Sequence, residues 1–558
     1  MMGPNFIPPW LRDYKLGFLR QDVTAGLTVA AIVVPKAMAC ALIAGLPVEV
    51  GLYTALATMF VYPLLGSSRV LSVTTTTAIA ILTSAQIVRT MSLNTGATAV
   101  DVAATLAVMV GAVLLLARLL RFGFIADFIS LPVLVGFEAG VGLVILIGQI
   151  KYLLGVHVDS HSTLEIVQEL FRVLPDFHGL TMIMGVTALG VLLFLPRFLP
   201  NLPAPLIVIV LSGAASAFLG LQALGVKSIG NVPIGLPMPS LPDFSLAQAL
   251  LPAALGIALL SFTESIAAAR TFSGRDDDPI NSNQELFAIG TANVASSLFG
   301  GMPSGGGTSQ TAVASSADVR SQMAQWVCGA VVIICLLFLA PVFAYLPKAV
   351  LGAIILMLAL HMIKPRKFYE IAKIRNIELV WALVTFAGVV LIGTLEGILI
   401  AVVISMLTLI YQAAHPPVYA VIRDRKHRFF LRAEDGDTAE MAPGLLVLRT
   451  EGRLSFFNAA NAVAKMKALV DKNKPGVVIL ACGAIPDIEY SALVRIIEGE
   501  ENLRRDGTML WLAAVNPDVM GTLKRSSLAE TLGESRLFHD LQSALEAFEK
   551  QQLVSKDE

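Results

Sequence analysis

A chain of 558 residues with 56% hydrophobic and only 15% charged side chains is too apolar for a soluble enzyme, in which about a quarter of residues carry charge. A mean hydropathy of +0.74 places most of it in a lipid bilayer, and a net charge of −1 offers no basic surplus to a nucleic-acid partner. The four cysteines, Cys40, Cys328, Cys335 and Cys482, lack CxxC or Cys/His spacing, which argues against a disulfide framework, a metal centre or a redox role.

The segment Trp10-Leu11-Arg12-Asp13-Tyr14-Lys15 reads as an interfacial stretch rather than a cleavable signal. Apolar runs then recur at 25–44, 105–120, 133–150, 180–195, 327–345 and 379–405, where about 20 residues suffice to cross a bilayer. Other runs are shortened or broken by Gly and Pro, so the expectation is roughly twelve to fourteen spans. Basic residues cluster at Arg118 and Arg121, at Arg270 and Arg275, from Lys364 to Arg375, and from Arg423 to Arg428. Read by the positive-inside tendency, these loops and both termini are cytoplasmic, and the mixed-charge segment 151–176 lies outside.

One internal echo points to function. Thr74-Thr75-Thr76-Thr77-Ala78-Ile79-Ala80 returns as Thr308-Ser309-Gln310-Thr311-Ala312-Val313-Ala314, each copy opening an apolar helical segment. A helix that begins inside a bilayer presents unpaired N–H groups and the positive end of its dipole. Two such ends converging form an anion site that needs no metal or other cofactor.

After Pro416-Pro417 the long apolar runs stop and charges become frequent. Short β-like runs at 445–448, 477–480 and 509–513 alternate with helical stretches at 458–470, 491–504 and 541–549, the pattern of a small α/β domain without a phosphate-binding loop. The expected organisation is an interfacial segment 1–20, a transport domain 21–415, a linker 416–440 and a cytoplasmic domain 441–555.

The residues resemble a known family. Asp22-Val23-Thr24-Ala25-Gly26-Leu27-Thr28-Val29, Pro35-Lys36-Ala37-Met38-Ala39, Gly51-Leu52-Tyr53-Thr54, Gly66-Ser67-Ser68-Arg69, Asn283-Gln284-Glu285-Leu286, Gly300-Gly301-Met302-Pro303 and Gln310-Thr311-Ala312-Val313 look like the ordered signature of the SulP anion transporters, the sulfate permeases. The tail is similar to the STAS domain that usually ends them. The resemblance implies a polytopic α-helical membrane protein of about fourteen segments in a 7+7 inverted repeat, with core and gate parts and a cytoplasmic α/β STAS domain that helps form a homodimer. It also places the substrate between the broken third and tenth segments. Those starts fall here on Val73, Thr74, Thr75, Thr76 and Thr77 and on Gly306, Gly307, Thr308, Ser309, Gln310 and Thr311.

The departures from that pattern bear on chemistry. Where the family often has Gly-Pro before its third segment this chain has Thr74-Thr75, hydroxyls and N–H groups in place of a donor-poor turn. Glutamine is common where Lys36 stands, and arginine where Gln310 stands. We hypothesise that Lys36 supplies the cationic end of the anion site while Gln310 donates a neutral hydrogen bond; the competing reading is that Lys36 only neutralises Glu264 or Glu138. A lysine inside a span costs roughly 2.5 to 3.5 kcal/mol on insertion scales, so it should face a polar cavity or a partner. Glu264 matches the family's acidic position in its eighth segment, associated with coupling to a cation: a desolvated carboxylate tends to bind a proton unless Na⁺ and neighbouring oxygens hold it charged. Glu138 stands where better-known members are uncharged, a second proton site or a partner for Lys36. Glu285 reads as a helix-start or interface residue. In the tail, Glu489-Tyr490-Ser491-Ala492 occupies the loop that carries a phosphorylated serine in anti-sigma antagonists; Ser491 reads here as a helix N-cap.

No nucleophile–base pair, metal cluster or phosphate loop appears, and the seven histidines are scattered, so the chain is not read as an enzyme. The expectation is a multi-pass protein of a bacterial inner membrane that moves a small inorganic or carboxylate anion by alternating access. Sulfate is the family default, with bicarbonate or dicarboxylate open, and coupling is to H⁺ or Na⁺. An uncoupled channel or an anion exchanger of the same fold is the alternative.

Overall fold

The structure is a computed structural model that describes residues 9–12, 14–92, 96–124, 130–156, 158, 163–199, 204–230, 232–274, 279–423, 430–432 and 440–557. Asp13, Arg275, residues 424–428 of the last basic cluster and residues 424–429 and 433–439 of the linker lie outside the described residues. The chain forms two compact units, 1–405 and 406–558.

Among the described residues the first unit and its exit contain fourteen principal helices. The first seven are α1 (Leu19–Ile43), α2 (Val48–Leu65), α3 (Thr77–Met91), α4 (Ala99–Leu119), α5 (Leu131–Leu154), α6 (Gly179–Phe198) and α7 (Ala204–Phe218). The second seven are α8 (Ala247–Phe272), α9 (Ser282–Leu298), α10 (Thr308–Ser316), α11 (Met323–Phe343), α12 (Lys348–Met362), α13 (Asn376–Leu391) and α14 (Thr394–Ala414). Eight apolar stretches are long enough to cross a bilayer alone. Two short helices, Thr163–Val173 and Pro365–Ile374, are amphipathic instead. The apolar run 379–405, which reads as one span, is two helices: α13 stops at Leu391, and Gly393 turns the chain at φ +150°, a conformation in which a side chain would clash.

Packing relates the halves. Three of the extensive pairings, α4 with α9, α8 with α4 and α13 with α5, each recur between the helices seven places along: α11 with α2, α1 with α11 and α6 with α12. Close approach rests on small residues, because lipid tails offer helices no hydrophobic drive to associate. A Cβ on Gly136 of α5 would sit 2.1 Å from the carbonyl oxygen of Ala382 in α13, and one on Gly111 of α4 would sit 2.7 Å from that of Gly290 in α9.

α3 and α10 begin within the unit, each preceded by a two-residue strand. β1 (Val73–Thr74) pairs antiparallel with β2 (Gly305–Gly306), Val73 opposite Gly306 and Thr74 opposite Gly305.

The second unit is a sheet between helical layers: β3 (Val418–Arg423), β4 (Phe430–Arg432), β5 (Glu440–Ala442), β6 (Leu445–Thr450), β7 (Val477–Ala481), β8 (Met509–Ala513) and β9 (Leu537–Phe538) in the order β4-β3-β6-β7-β8-β9, with β5 also on β6. β6 to β9 run parallel. Because both faces of these strands are covered, they read as near-continuous apolar runs, broken only by Arg449-Thr450 at the end of β6, rather than alternating. One face packs on α15 (Ala459–Asn473), α16 (Tyr490–Arg505), α17 (Pro517–Leu523) and α18 (Ser527–Leu532); the other packs on α19 (Leu541–Asp557) through Trp511, Ala544 and Phe548. Sequence placed three of these strands and three helices. The peripheral β3, β4, β5 and β9 are too short or too mixed to announce themselves. Ser491 is not the helix N-cap expected of it: α16 starts at Tyr490, its N-cap is Glu489, and Ser491 is an exposed first-turn residue.

Candidate functional site

The β1–β2 pair is held from every side. Gly306 N–H donates to Ser265 Oγ at 2.6 Å and Ser261 Oγ donates to the Ser304 carbonyl at 2.6 Å, both from α8. Asn293 of α9 accepts from Ser304 N–H and donates to its carbonyl. The approach requires glycine at both positions of β2: a Cβ on Gly305 would lie 2.8 Å from Ser261 Oγ, and one on Gly306 2.7 Å from Leu71 Cδ1. The loop before β1 is tied to the second half by Gln322, which donates to the carbonyls of Ser68 and Leu71, and by Gln325, which accepts from Ser72 Oγ. The two half-helices therefore start side by side because a mutual strand pair fixes their entrances.

Their first turns border a cavity of about 350 Å³ lined by residues from both halves. Thr76 caps α3, its Oγ1 accepting from Ile79 N–H. The N–H groups of Thr77 and Ala78, and of Thr308 and Ser309 in α10, belong to first turns, which have no carbonyl partner inside their own helix. These four residues all line the cavity. Both helices thus direct positive dipole ends toward one hollow.

Lys36 enters from α1, one residue after Pro35, and is buried at 5% exposure. Its Nζ donates to Ser309 Oγ at 2.9 Å and to Gln310 Oε1 at 2.8 Å. An ammonium has three N–H donors, so one remains for the cavity that Lys36 lines. Gln310 holds that geometry from behind: its Nε2 donates to the Ser72 carbonyl at 2.9 Å and to Thr74 Oγ1 at 2.8 Å. The sequence reading had Gln310 donate to the anion. In the structure both amide donors are engaged by protein, the residue is fully buried, and its contact with the site passes through Lys36.

Glu264, half-buried in α8, accepts from Thr76 Oγ1 at 3.0 Å. One hydroxyl thereby joins the carboxylate to the N-terminus of α3. Glu138 of α5 pairs with Lys364 at 3.4 Å, at an end of the cavity where these side chains are 20% and 45% exposed. Among the described residues neither Glu264 nor Glu138 is within ion-pair distance of Lys36.

Of the residues named from sequence, the cavity is lined by Lys36, Thr76, Thr77, Glu138, Glu264, Gly307, Thr308 and Ser309. Val73 and Gly306 lie in the strand pair behind it. Thr74 Oγ1 faces Gln310, and Thr311 Oγ1 accepts from Ser72 N–H while donating to the Gly307 carbonyl. Thr75 is fully buried, and its hydroxyl has no hydrogen-bond partner among the described residues. Residues that sequence reasoning missed are Ser261, Ser265, Asn293, Gln322 and Gln325, together with His361 and Lys364 at the cavity's end. A signal existed for the two glutamines: amides three apart at the start of a strongly apolar helix are costly in lipid unless they meet backbone polar groups. Glu285 is an interior anchor, accepting from Tyr62 OH at 2.9 Å and from Ser67 N–H and Oγ at 2.7 Å each.

With this geometry in place, comparison with known proteins gives a consistent answer. Residues 19–385 match the sulfate permease family and residues 438–544 the STAS domain. The chain is 34% identical over 552 residues to a probable sulfate transporter of Mycobacterium tuberculosis, covering 97% of each, and 27% identical to sulfate transporter 3.2 of Arabidopsis thaliana, covering 96% of this chain and 87% of that one. Among solved structures, the murine Solute Carrier 26 family member A9 anion transporter superimposes with a TM-score of 0.85 at 22% identity, over 96% of this chain and 93% of that one. The transmembrane domain of the cyanobacterial bicarbonate transporter BicA does so with a TM-score of 0.60 at 23% identity, over 70% and 98%. The chain is an integral multi-pass membrane protein, and it belongs to the sulfate permease family, with a STAS domain following its membrane helices.

Proposed function

We propose that the protein is a secondary active carrier of small anions, sulfate first among them, and that it cycles by alternating access with H⁺ or Na⁺ as the coupling cation. The observation that carries this reading is the Lys36 ammonium, held on Ser309 and Gln310 at the shared hollow of two helix N-termini. The names of its relatives, sulfate transporters and a bicarbonate transporter, support an oxyanion.

In this reading the anion rests on the first-turn N–H groups of α3 and α10 and on the free N–H of Lys36. Glu264 takes up the cation. A carboxylate bonded to the Thr76 cap changes its charge as the cation binds, and so changes the field at the helix end that holds the anion. The reciprocal pairings of the two halves support an inverted 7+7 repeat in which one part moves against the other. Both termini are placed in the cytoplasm, segment 151–176 outside, the whole in a bacterial inner membrane as a homodimer.

The test is flux in proteoliposomes. A carrier of this kind saturates with sulfate, accumulates it against its gradient when a proton or sodium gradient is imposed, and is competed by bicarbonate or a dicarboxylate if they share the site. Linear, gradient-independent flux would sink the reading.

A further inference from the structure

A second cavity lies apart from the site described above. It holds about 230 Å³ and is lined by Lys151, Lys227 and Lys348, with Tyr152, Thr181 and Gly225 among the remaining wall. Its place follows from two helices. Glu138 and Lys151 are 13 residues apart on α5, and Lys348 and His361 are 13 apart on α12, which at 1.5 Å per residue separates the pairs by about 20 Å. The central cavity reaches solvent beside Glu138, His361 and Lys364. The lysine cavity therefore sits at the opposite membrane face.

Three lysines line it without a counter-charge among the described residues. No carboxylate lines the cavity among the described residues, and none of the three lysines has an ion-pair partner there. Lys151 Nζ makes one hydrogen bond, to the Val158 carbonyl at 3.1 Å, which leaves two donors. Nor is the proximity of the other two left to chance: Lys348 N–H donates to the Lys227 carbonyl at 2.9 Å, and Ile229 N–H donates to the Leu346 carbonyl at 3.0 Å, so backbone pairing holds the two lysines alongside each other. Lys348 is the first residue of α12, and Thr181 is in the first turn of α6. Two helix N-termini thus add partial positive charge to the same space. Gly225 in its wall sits at φ +90°, a conformation that side chains rarely adopt. Like charges fixed together disfavour the empty state, and a dianion relieves them.

We propose that this cavity is a second anion site, taking a small inorganic dianion such as sulfate from solution at the face opposite the mouth of the central cavity. On the topology proposed above this is the outer face, and the site loads the carrier. The loading role rests on the transport reading, whereas the binding does not.

Sulfate is titrated at constant ionic strength into purified protein in phosphatidylcholine nanodiscs, with thermal stabilisation and calorimetry as readouts. Five proteins are compared: wild type, Lys36→Gln, the triple variant Lys151→Gln/Lys227→Gln/Lys348→Gln, the same triple with arginine, and the glutamine triple in a Lys36→Gln background. Lys36→Gln is expected to keep a sulfate-binding event that the triple glutamine variant loses and the triple arginine variant retains. In uptake, the glutamine triple raises the half-saturating sulfate concentration about tenfold and flattens its dependence on ionic strength, as loss of electrostatic capture does. Undiminished sulfate binding by the glutamine triple in a Lys36→Gln background overturns the proposal, as does stabilisation that appears with phosphatidylglycerol and not with sulfate. Should the triple misfold, single Lys→Gln variants are read the same way, each weakening sulfate binding. Failure of the central site shows separately, as wild-type binding and uptake by Lys36→Gln.

Discussion

Lys36 and Gln310 are 274 positions apart, yet the ammonium of one donates to the amide oxygen of the other at 2.8 Å. Positions 36 and 310 thus form one unit, an amide and a cation joined across the halves of the chain. In the pattern the chain resembles, glutamine is common at the first position and arginine at the second. The pair has the same composition with its charge on the other helix, and swapping the two residues leaves the net charge of the site unchanged.

Lys36→Gln should raise the half-saturating sulfate concentration at least about tenfold, since hydrogen bonds to a charged group contribute about 1.5–3 kcal/mol. Lys36→Gln combined with Gln310→Arg should recover most of that loss. Uptake by the two variants in matched proteoliposomes checks the pair; unchanged affinity in the single variant would remove Lys36 from the site.

Glu264→Gln keeps a hydrogen-bonding group beside Thr76 but cannot change its charge. The expected outcome is uptake that no longer responds to an imposed proton or sodium gradient, with sulfate–sulfate exchange retained within a few-fold. Exchange of labelled sulfate and gradient-driven accumulation, measured on the same vesicles, separate the two. A variant that still accumulates sulfate under the cation gradient would place coupling elsewhere.

The broken start of α3 was legible because Thr76 caps it; the echo set the second start late, since α10 opens at Thr308 behind Gly307, which offers no side-chain cap, and Gln310-Thr311-Ala312 lie inside the helix. Which hydroxyls face the hollow was not legible. Thr74 lies in β1 with its hydroxyl on Gln310, whereas Thr76, two residues on, caps α3 and lines the cavity, and the strand pair that fixes both joins residues more than 230 positions apart. Lys36 could be read as buried and in need of a partner. That its partners are Ser309 and Gln310, with Lys364 taking Glu138, depends on helix packing that no local pattern encodes.

Glu285 and Asp22 are buried carboxylates with structural work. Asp22 accepts from the N–H groups of Arg320 and Ser321 and from Ser321 Oγ, joining the start of α1 to the segment after α10. Asp22→Ala or Glu285→Ala leaves buried donors without acceptors, each worth about 1–3 kcal/mol, and should lower the unfolding temperature of the purified protein by several degrees. Asp22→Asn, which keeps one acceptor oxygen, should lose less than Asp22→Ala.

In the STAS domain, burial of Cys482 pushes its thiol up to about 12, and the side chain is 1% exposed. The thiolate is the reactive form, so at neutral pH a maleimide should leave Cys482 unmodified in the folded protein and label it after denaturation. Mass spectrometry of the tryptic peptide reads both states; rapid labelling without denaturant would mean that the β7–β8 end of the sheet opens readily.

Gly306→Ala tests whether the strand pair sets the position of the half-helices. Its Cβ would meet Leu71 Cδ1 at 2.7 Å and the Ser265 Cα at 2.9 Å. The leucine tip can turn aside, but the second contact is backbone, and relieving it requires β2 to move from α8. Such a shift lengthens the 2.6 Å bond from Gly306 N–H to Ser265 Oγ and carries Gly307 to Ser309 with it, away from Lys36. Transport should fall more than about tenfold, because a displacement near 1 Å in a binding constellation is already costly. Gly190→Ala in α6, where a Cβ meets nothing within 4 Å, should leave uptake unchanged, and wild-type uptake by Gly306→Ala would mean that the half-helices hold their positions without this contact.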